Sequence, residues 1–231
     1  MDAATTVQTD KIGYSRNRWH ALSHVPQWVS QLVREVQAAG VFTTGIASDK
    51  RQRGSAVNWE LYGYDEVQGL AVIQVRECVF HPNHFNEVRK DYYLIGRTED
   101  GAPFAHPIDS PLRSRRAMTT PESCVRFVLA RLWGCDEEDL PHITRQGDVA
   151  LVPARLPQGA HLTELAEVTV AGSHRVKADR IWTHASGYYV ARASMTHLPG
   201  QHGRAVCKGG VRRLVVAPRV KNWGFSAPTA D

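Results

Sequence analysis

Histidine is the residue type in this chain best suited to carry chemistry, and it is unevenly placed. Five of the eleven histidines fall in the C-terminal third: His161, His174, His184, His197 and His202. His174, His184, His197 and His202 each stand at or beside a turn signal, as in Gly172-Ser173-His174 and Gln201-His202-Gly203. Turn positions on adjacent strands can converge, and neutral imidazole is a ligand for zinc, iron, copper and nickel alike. These four residues form the candidate metal set, with a divalent transition metal as the implied cofactor. A coordination position left open to solvent would activate water or dioxygen.

Two shorter histidine patterns point the same way with less support. His81-Pro82-Asn83-His84 can turn two imidazoles toward one point, with His106 following the next strand, and is read as an exposed turn. His20 and His24 are four apart but have no third ligand nearby. Cys207 beside Lys208 has a cation to lower its thiol pKa, yet a strand cysteine is more often buried and inert.

Other chemistries lack their signatures. There is no Gly-x-x-x-x-Gly-Lys-Ser/Thr loop, no Gly-x-Gly-x-x-Gly, no His-Glu-x-x-His and no Gly-x-Ser-x-Gly. The run Asp136-Glu137-Glu138-Asp139 fans out in sequence and reads as solvated.

Charge supplies the second candidate site. From Val168 to Asp231 ten Lys/Arg stand against Asp179 and Asp231, a net of +8, which leaves −3 for the remainder of a chain whose total is +5. A basic segment attracts polyanions over roughly one Debye length, about 8 Å at physiological salt. Arg175, Lys177, Arg180, Arg204, Lys208, Arg212, Arg213, Arg219 and Lys221 are the candidate phosphate contacts, with DNA or RNA as partner. Trp182, Tyr188, Tyr189 and Trp223 lie among them and are candidates for base stacking. Arg113, Arg115 and Arg116 form a further basic run, read as an exposed loop.

The elements that must position these residues follow from periodicity and punctuation. Pro26, the stripe Val29, Leu32, Val33 and Val36, and Gly40 predict a first helix. Segments 57–64, 70–80 and 88–97 predict an antiparallel meander. Thr120 as cap, Pro121 at the first position, the stripe Val125, Val128, Leu129 and Leu132, and Gly134 predict a second helix. After Gly147, six short strands are expected: 148–153, 167–171, 175–181, 187–195, 204–208 and 211–217. Gly209-Gly210 is expected to make a tight hairpin between the last two.

The expected fold class is therefore α+β: an N-terminal helix and antiparallel β-meander, a middle helix, then a small C-terminal β-barrel or sandwich. The expected division is 1–115 for helix and meander, 116–142 for the connecting helix and 143–231 for the basic β-rich domain. Scattered Cys78, Cys124, Cys135 and Cys207, without a signal-peptide pattern, fit reduced thiols in the cytoplasm. No apolar run is long enough for a membrane span.

Two family resemblances attach to the stretch Arg145-Gln146-Gly147-Asp148-Val149-Ala150-Leu151-Val152-Pro153. Gly147 to Pro153 resembles the second motif of the cupins, a β-barrel family that often binds metal through histidines. Arg155 stands where that motif has glycine and Gln158 where it has histidine, and the first cupin motif is absent. The stretch together with Gly172-Ser173-His174, His197 to Gly203 and Gly209-Gly210 also resembles small uncharacterised β-rich proteins of bacteria and phages, over about residues 143–220. That resemblance implies an intracellular bacterial or viral setting, and a structural pair between Arg145 and Asp148, but no activity.

Three functions are consistent with these residues. The first is a non-catalytic intracellular binding protein whose basic C-terminal domain engages nucleic acid or a nucleoprotein assembly. The second is a metal-dependent enzyme with a histidine-ligated centre. The third is an interaction subunit that docks a protein partner through its N-terminal meander. No acid–base or nucleophile pattern favours catalysis, so binding is the leading expectation.

Overall fold

The computed structural model describes residues 22–39, 54–80, 87–98, 101–108, 119–198 and 203–217. The turn with His81 and His84, the Arg113–Arg116 run, His20, His202, Arg219, Lys221 and Trp223 lie outside the described residues.

Helix α1 (Gln27–Ala38) forms where the stripe requires it. Pro26 stands just before its first turn, and Val29, Leu32, Val33 and Val36 are all buried. Strands β1 (Gly54–Asp65), β2 (Leu70–Phe80), β3 (Glu87–Arg97) and β4 (Pro103–Ile108) follow as an antiparallel meander in the order β1-β2-β3-β4. A sheet covered on one face alternates apolar and polar residues, but here the buried residues run consecutively: Leu70 to Val75 and Tyr92 to Ile95. Both faces are covered. Leu61, Ala71, Ile73, Tyr93 and Ile95 meet α1. Tyr62, Val72, Tyr92 and Leu94 meet the second helix on the other side. Strand β1 takes part in both contacts, with Leu61 packed on the α1 side and Tyr62 on the other.

Helix α2 (Pro121–Trp133) matches its sequence signals at both ends. Thr120 Oγ1 accepts from the Ser123 amide, Ser123 Oγ reciprocates toward the Thr120 amide, and Gly134 closes the helix in the left-handed region at φ 60°. Cys124, Val125, Val128, Leu129 and Trp133 are buried in one core with Tyr62, Leu94, Ala150 and Val152, so α2 lies between two sheets. A 3-10 turn follows at Glu137–His142 and carries most of the acidic run.

The second sheet is antiparallel and has seven strands: β5 (Thr144–Gln146), β6 (Val149–Pro153), β7 (His161–Leu162), β8 (Glu167–Val170), β9 (His174–His184), β10 (Gly187–His197) and β11 (Ala205–Val216). Its path is β5-β6-β11-β10-β9-β7, with β8 also paired to β9. The two ends of the path do not bond to each other, so the expected barrel is not closed. The end strands are too short for closure, with three residues in β5 and two in β7.

The expected hairpin at Gly209-Gly210 is also corrected. Strand β11 runs straight through both glycines, because the segments before and after them pair with the same strand, β10. Lys208, Gly209 and Gly210 stand opposite Arg192 alone, between the pairs Ala193–Cys207 and Ala191–Val211. Gly210 (φ 66°) and Arg192 (φ 48°) supply the left-handed backbone that such a bulge needs.

This bulge divides the sheet. On the side nearer His197, Ala193, Met195 and His197 of β10 are buried on the inner face; on the opposite face Arg192 and Thr196 meet solvent, while Ser194 between them is buried. Beyond Arg192, Val190 continues the core, while its neighbour Tyr189 is buried on the other face. Only the half nearer His197 therefore has a bare face.

Candidate functional site

The structure brings two of the four candidate metal ligands together. His174 opens β9, His197 closes β10, and the two are directly paired across the strands. Their ring centroids are 4.8 Å apart, and they are 0% and 1% exposed. His184 sits at the far end of the same hairpin, paired with Gly187. Ten residue steps of about 3.3 Å place it roughly 30 Å from His174. Its Nδ1 is 2.7 Å from Ser186 Oγ in the hairpin turn. His161 pairs with Thr183 near that same end. Among the described residues, no three His, Cys, Asp or Glu side chains are arranged to hold a metal ion.

What surrounds the histidine pair is a buried polar cluster built from four chain segments. Asp148 lies in the β5–β6 turn, where Gly147 takes φ 56°. Its Oδ1 is 3.7 Å from His174 Nδ1. Ser173 ends the β8–β9 turn, where Ala171 (φ 53°) and Gly172 (φ 75°) adopt the successive left-handed conformations of a tight hairpin. Ser173 Oγ is 3.1 Å from the same Nδ1. The backbone tightens this knot: Leu198 N–H donates to Ser173 C=O and Ala217 N–H to Asp148 C=O, both at 2.7 Å.

Serine, histidine and carboxylate invite comparison with a nucleophilic triad, and the geometry differs from one. In a triad the imidazole takes the serine proton at one ring nitrogen and faces the carboxylate with the other. Here Ser173 and Asp148 address the same nitrogen, and the ring is closed to solvent. The cluster ties the β5–β6 turn, the β8–β9 turn and the ends of β10 and β11 to one another. Asp148 is the member whose role the sequence reading least anticipated.

His106 extends this cluster toward the first sheet. It sits on β4 opposite Leu94, on the face turned toward α2. Burial pushes its imidazole below the ordinary histidine value, and the Asp148 carboxylate partly offsets that shift. The neutral form is favoured in the fold, so its contribution to stability is present above the ordinary value, near pH ~6.5, and is lost as pH falls through it. The denaturant midpoint should be lower at about pH 5.5 than at about pH 7.5, and His106→Gln should narrow that gap. An unchanged gap in the variant would remove His106 as its source.

The basic residues divide into those that face solvent together and those that hold the fold. Alternation along β9, β10 and β11 puts Arg175 and Lys177, then Arg192, then Arg204 and Lys208 on the bare face nearer His197. All five are exposed. Arg192 was not among the candidates, and the parity of the three-strand register is the signal that identifies it. Among the described residues, two anions share this face. Glu167 lies 3.6 Å from Arg175 and 3.5 Å from Lys177, and Asp179 lies 2.8 Å from Arg192. Arg204 donates to Ser194 Oγ at 2.9 Å.

Three other candidates lie elsewhere. Arg212 donates to the His142 carbonyl at 2.8 Å, at the end of the 3-10 turn. Arg213 donates to the carbonyls of Trp133 and Gly134, where α2 ends. Cations at these carbonyls satisfy the acceptors that a helix end leaves open. Arg180 is exposed but lies beyond the bulge, opposite Ala191. Cys207 is buried on the inner face, on the other side of β11 from Lys208. Burial pushes the thiols of Cys124 and Cys135 above the ordinary cysteine pKa. These three cysteines are unbridged. Among the described residues, no helix is long and apolar enough to cross a membrane.

Compared with known protein families, with curated proteins and with solved structures, the chain finds no match.

Proposed function

We propose that this chain is a non-catalytic intracellular binding protein that engages nucleic acid through its basic C-terminal sheet. One observation carries the reading: Arg175, Lys177, Arg192, Arg204 and Lys208 share a single solvent-facing surface on which, among the described residues, Glu167 and Asp179 are the anions. Such a surface suits a polyanion, because each cation that neutralises a phosphate releases a condensed counterion. The histidine cluster does not compete with this reading, since its rings are shut from solvent and their nearest polar neighbours belong to the fold.

Counterion release fixes the test. Five phosphate contacts give a salt slope of about −4.5, so affinity for a labelled oligonucleotide should fall by roughly two to three orders of magnitude between about 50 and 200 mM salt. Fluorescence anisotropy at the two salt concentrations measures it. Binding that ignores salt, or no binding at the lower concentration, would overturn the proposal.

A further inference from the structure

We infer that the occupant of the basic face is double-stranded DNA, held by its backbone; this rests on the nucleic-acid reading above and narrows it. The cations stand in two rows. Arg175 and Lys177 form one on β9; Arg204, just before β11, and Lys208 on β11 form the other, with the half-exposed Val206 between them. Two strand spacings separate the rows, which is about 10 Å. Between them β10 contributes the exposed Thr196 and the buried Ser194, whose Oγ accepts from Arg204, with Arg192 at the bulge. The profile is a low floor between two charged banks.

A duplex fits that profile better than a single strand does. The major groove of B-form DNA is about 12 Å wide, so two banks about 10 Å apart reach the phosphate rows on either side of it. The deep, narrow major groove of an A-form RNA duplex does not offer that spacing. The exposed Thr196 hydroxyl can add a neutral hydrogen bond to the backbone. Among the described residues, nothing aromatic stands on this face. Trp182, Tyr188 and Tyr189 all lie beyond the bulge, and Tyr189 is buried. Non-specific binding of single strands depends on aromatic side chains on which unpaired bases stack. A duplex keeps its bases stacked on one another and needs no such platform. Thr196 is short, and the long Arg192 side chain is engaged by Asp179 at 2.8 Å, so the contacts position the DNA without selecting sequence.

The experiment uses the full chain and three labelled probes of equal length at one low salt concentration: a DNA duplex, an RNA duplex and a single DNA strand. The DNA duplex should bind tighter than the single strand by about tenfold, the equivalent of one missing base stack. A single strand that binds as well or better overturns the duplex assignment and leaves the phosphate reading standing. An RNA duplex that binds as well as the DNA duplex overturns the B-form assignment alone. Failure of all three probes overturns both readings. Glu167→Gln supplies an independent check, because Glu167 sits against Arg175 and Lys177 on the edge strand. Its removal should tighten duplex binding severalfold. Unchanged affinity would place the duplex away from the β9 row and overturn the two-bank geometry.

Discussion

Gly63→Ala should destabilise the protein strongly, by about 3 kcal/mol, at the upper end of the cost of overpacking a core. Gly63 lies at the register shift in β1, where the first turn of α2 packs directly on the strand. A Cβ added there would meet Cys124 Cβ at 2.5 Å, Cys124 Sγ at 2.6 Å and the Pro121 carbonyl at 2.7 Å. These groups belong to the first turn of α2, and two of them are backbone or next to it, so no flexible side-chain end can give way. The helix itself must move. It would carry Val125, Val128, Leu129 and Trp133 out of the core shared by both sheets. Domains of this size have about 5–15 kcal/mol of stability, so the loss is a large part of the whole. Urea denaturation of the wild type and the variant measures it. Equal midpoints would mean that α2 does not sit this close to the sheet. Gly69→Ala is the contrasting case: no atom lies within 4 Å, and only the left-handed backbone at φ 63° resists, so its cost should be about 1–2 kcal/mol.

Gly63 also shows which parts of this fold a sequence can reveal. The helices were legible because their signals are local: Thr120, Pro121 and Gly134 mark both ends of α2, and the four-residue stripe of α1 marks its buried face. The close approach at Gly63 was not legible, because it depends on a helix some sixty residues later. Gly209-Gly210 failed for a related reason. A hairpin turn and a bulge both demand left-handed backbone, and only the partner strand decides between them. Barrel closure was not legible either, since it hangs on the ends of β5 and β7, which are too short to leave a pattern. For the candidate site, the sequence placed His174, His184 and His197 at turns without telling which end of a hairpin each occupied. The long register of β9 against β10 then put His184 far from the other two. The +8 segment was visible as a total. Its division into a solvent-facing set and two helix-end arginines requires knowing where α2 and the 3-10 turn stop in space.

That division makes the second large prediction. Lys177→Glu combined with Lys208→Glu should leave the protein folded and nearly abolish binding to nucleic acid. Both lysines are exposed, and the ion pair of Lys177 with Glu167 lies at the surface, worth at most about 1 kcal/mol. Each exchange removes one phosphate contact and puts a like charge in its place, so the salt slope should fall by about two or more. The one bank lies on β9 and the other on β11, so losing a charge from each tests the whole face. Arg212→Ala combined with Arg213→Ala should do the reverse, although sequence alone groups all four residues as phosphate contacts. It strips donors from the carbonyls of Trp133, Gly134 and His142, each hydrogen bond being worth about 0.5–1.5 kcal/mol, and should lower the denaturation midpoint. The salt slope of the protein that remains folded should stay that of the wild type. Anisotropy titrations across salt, run beside urea melts on both double variants, separate the two roles. If the arginine pair changed the slope and the lysine pair did not, the polyanion would lie along the end of α2 rather than on the open face of β9 to β11.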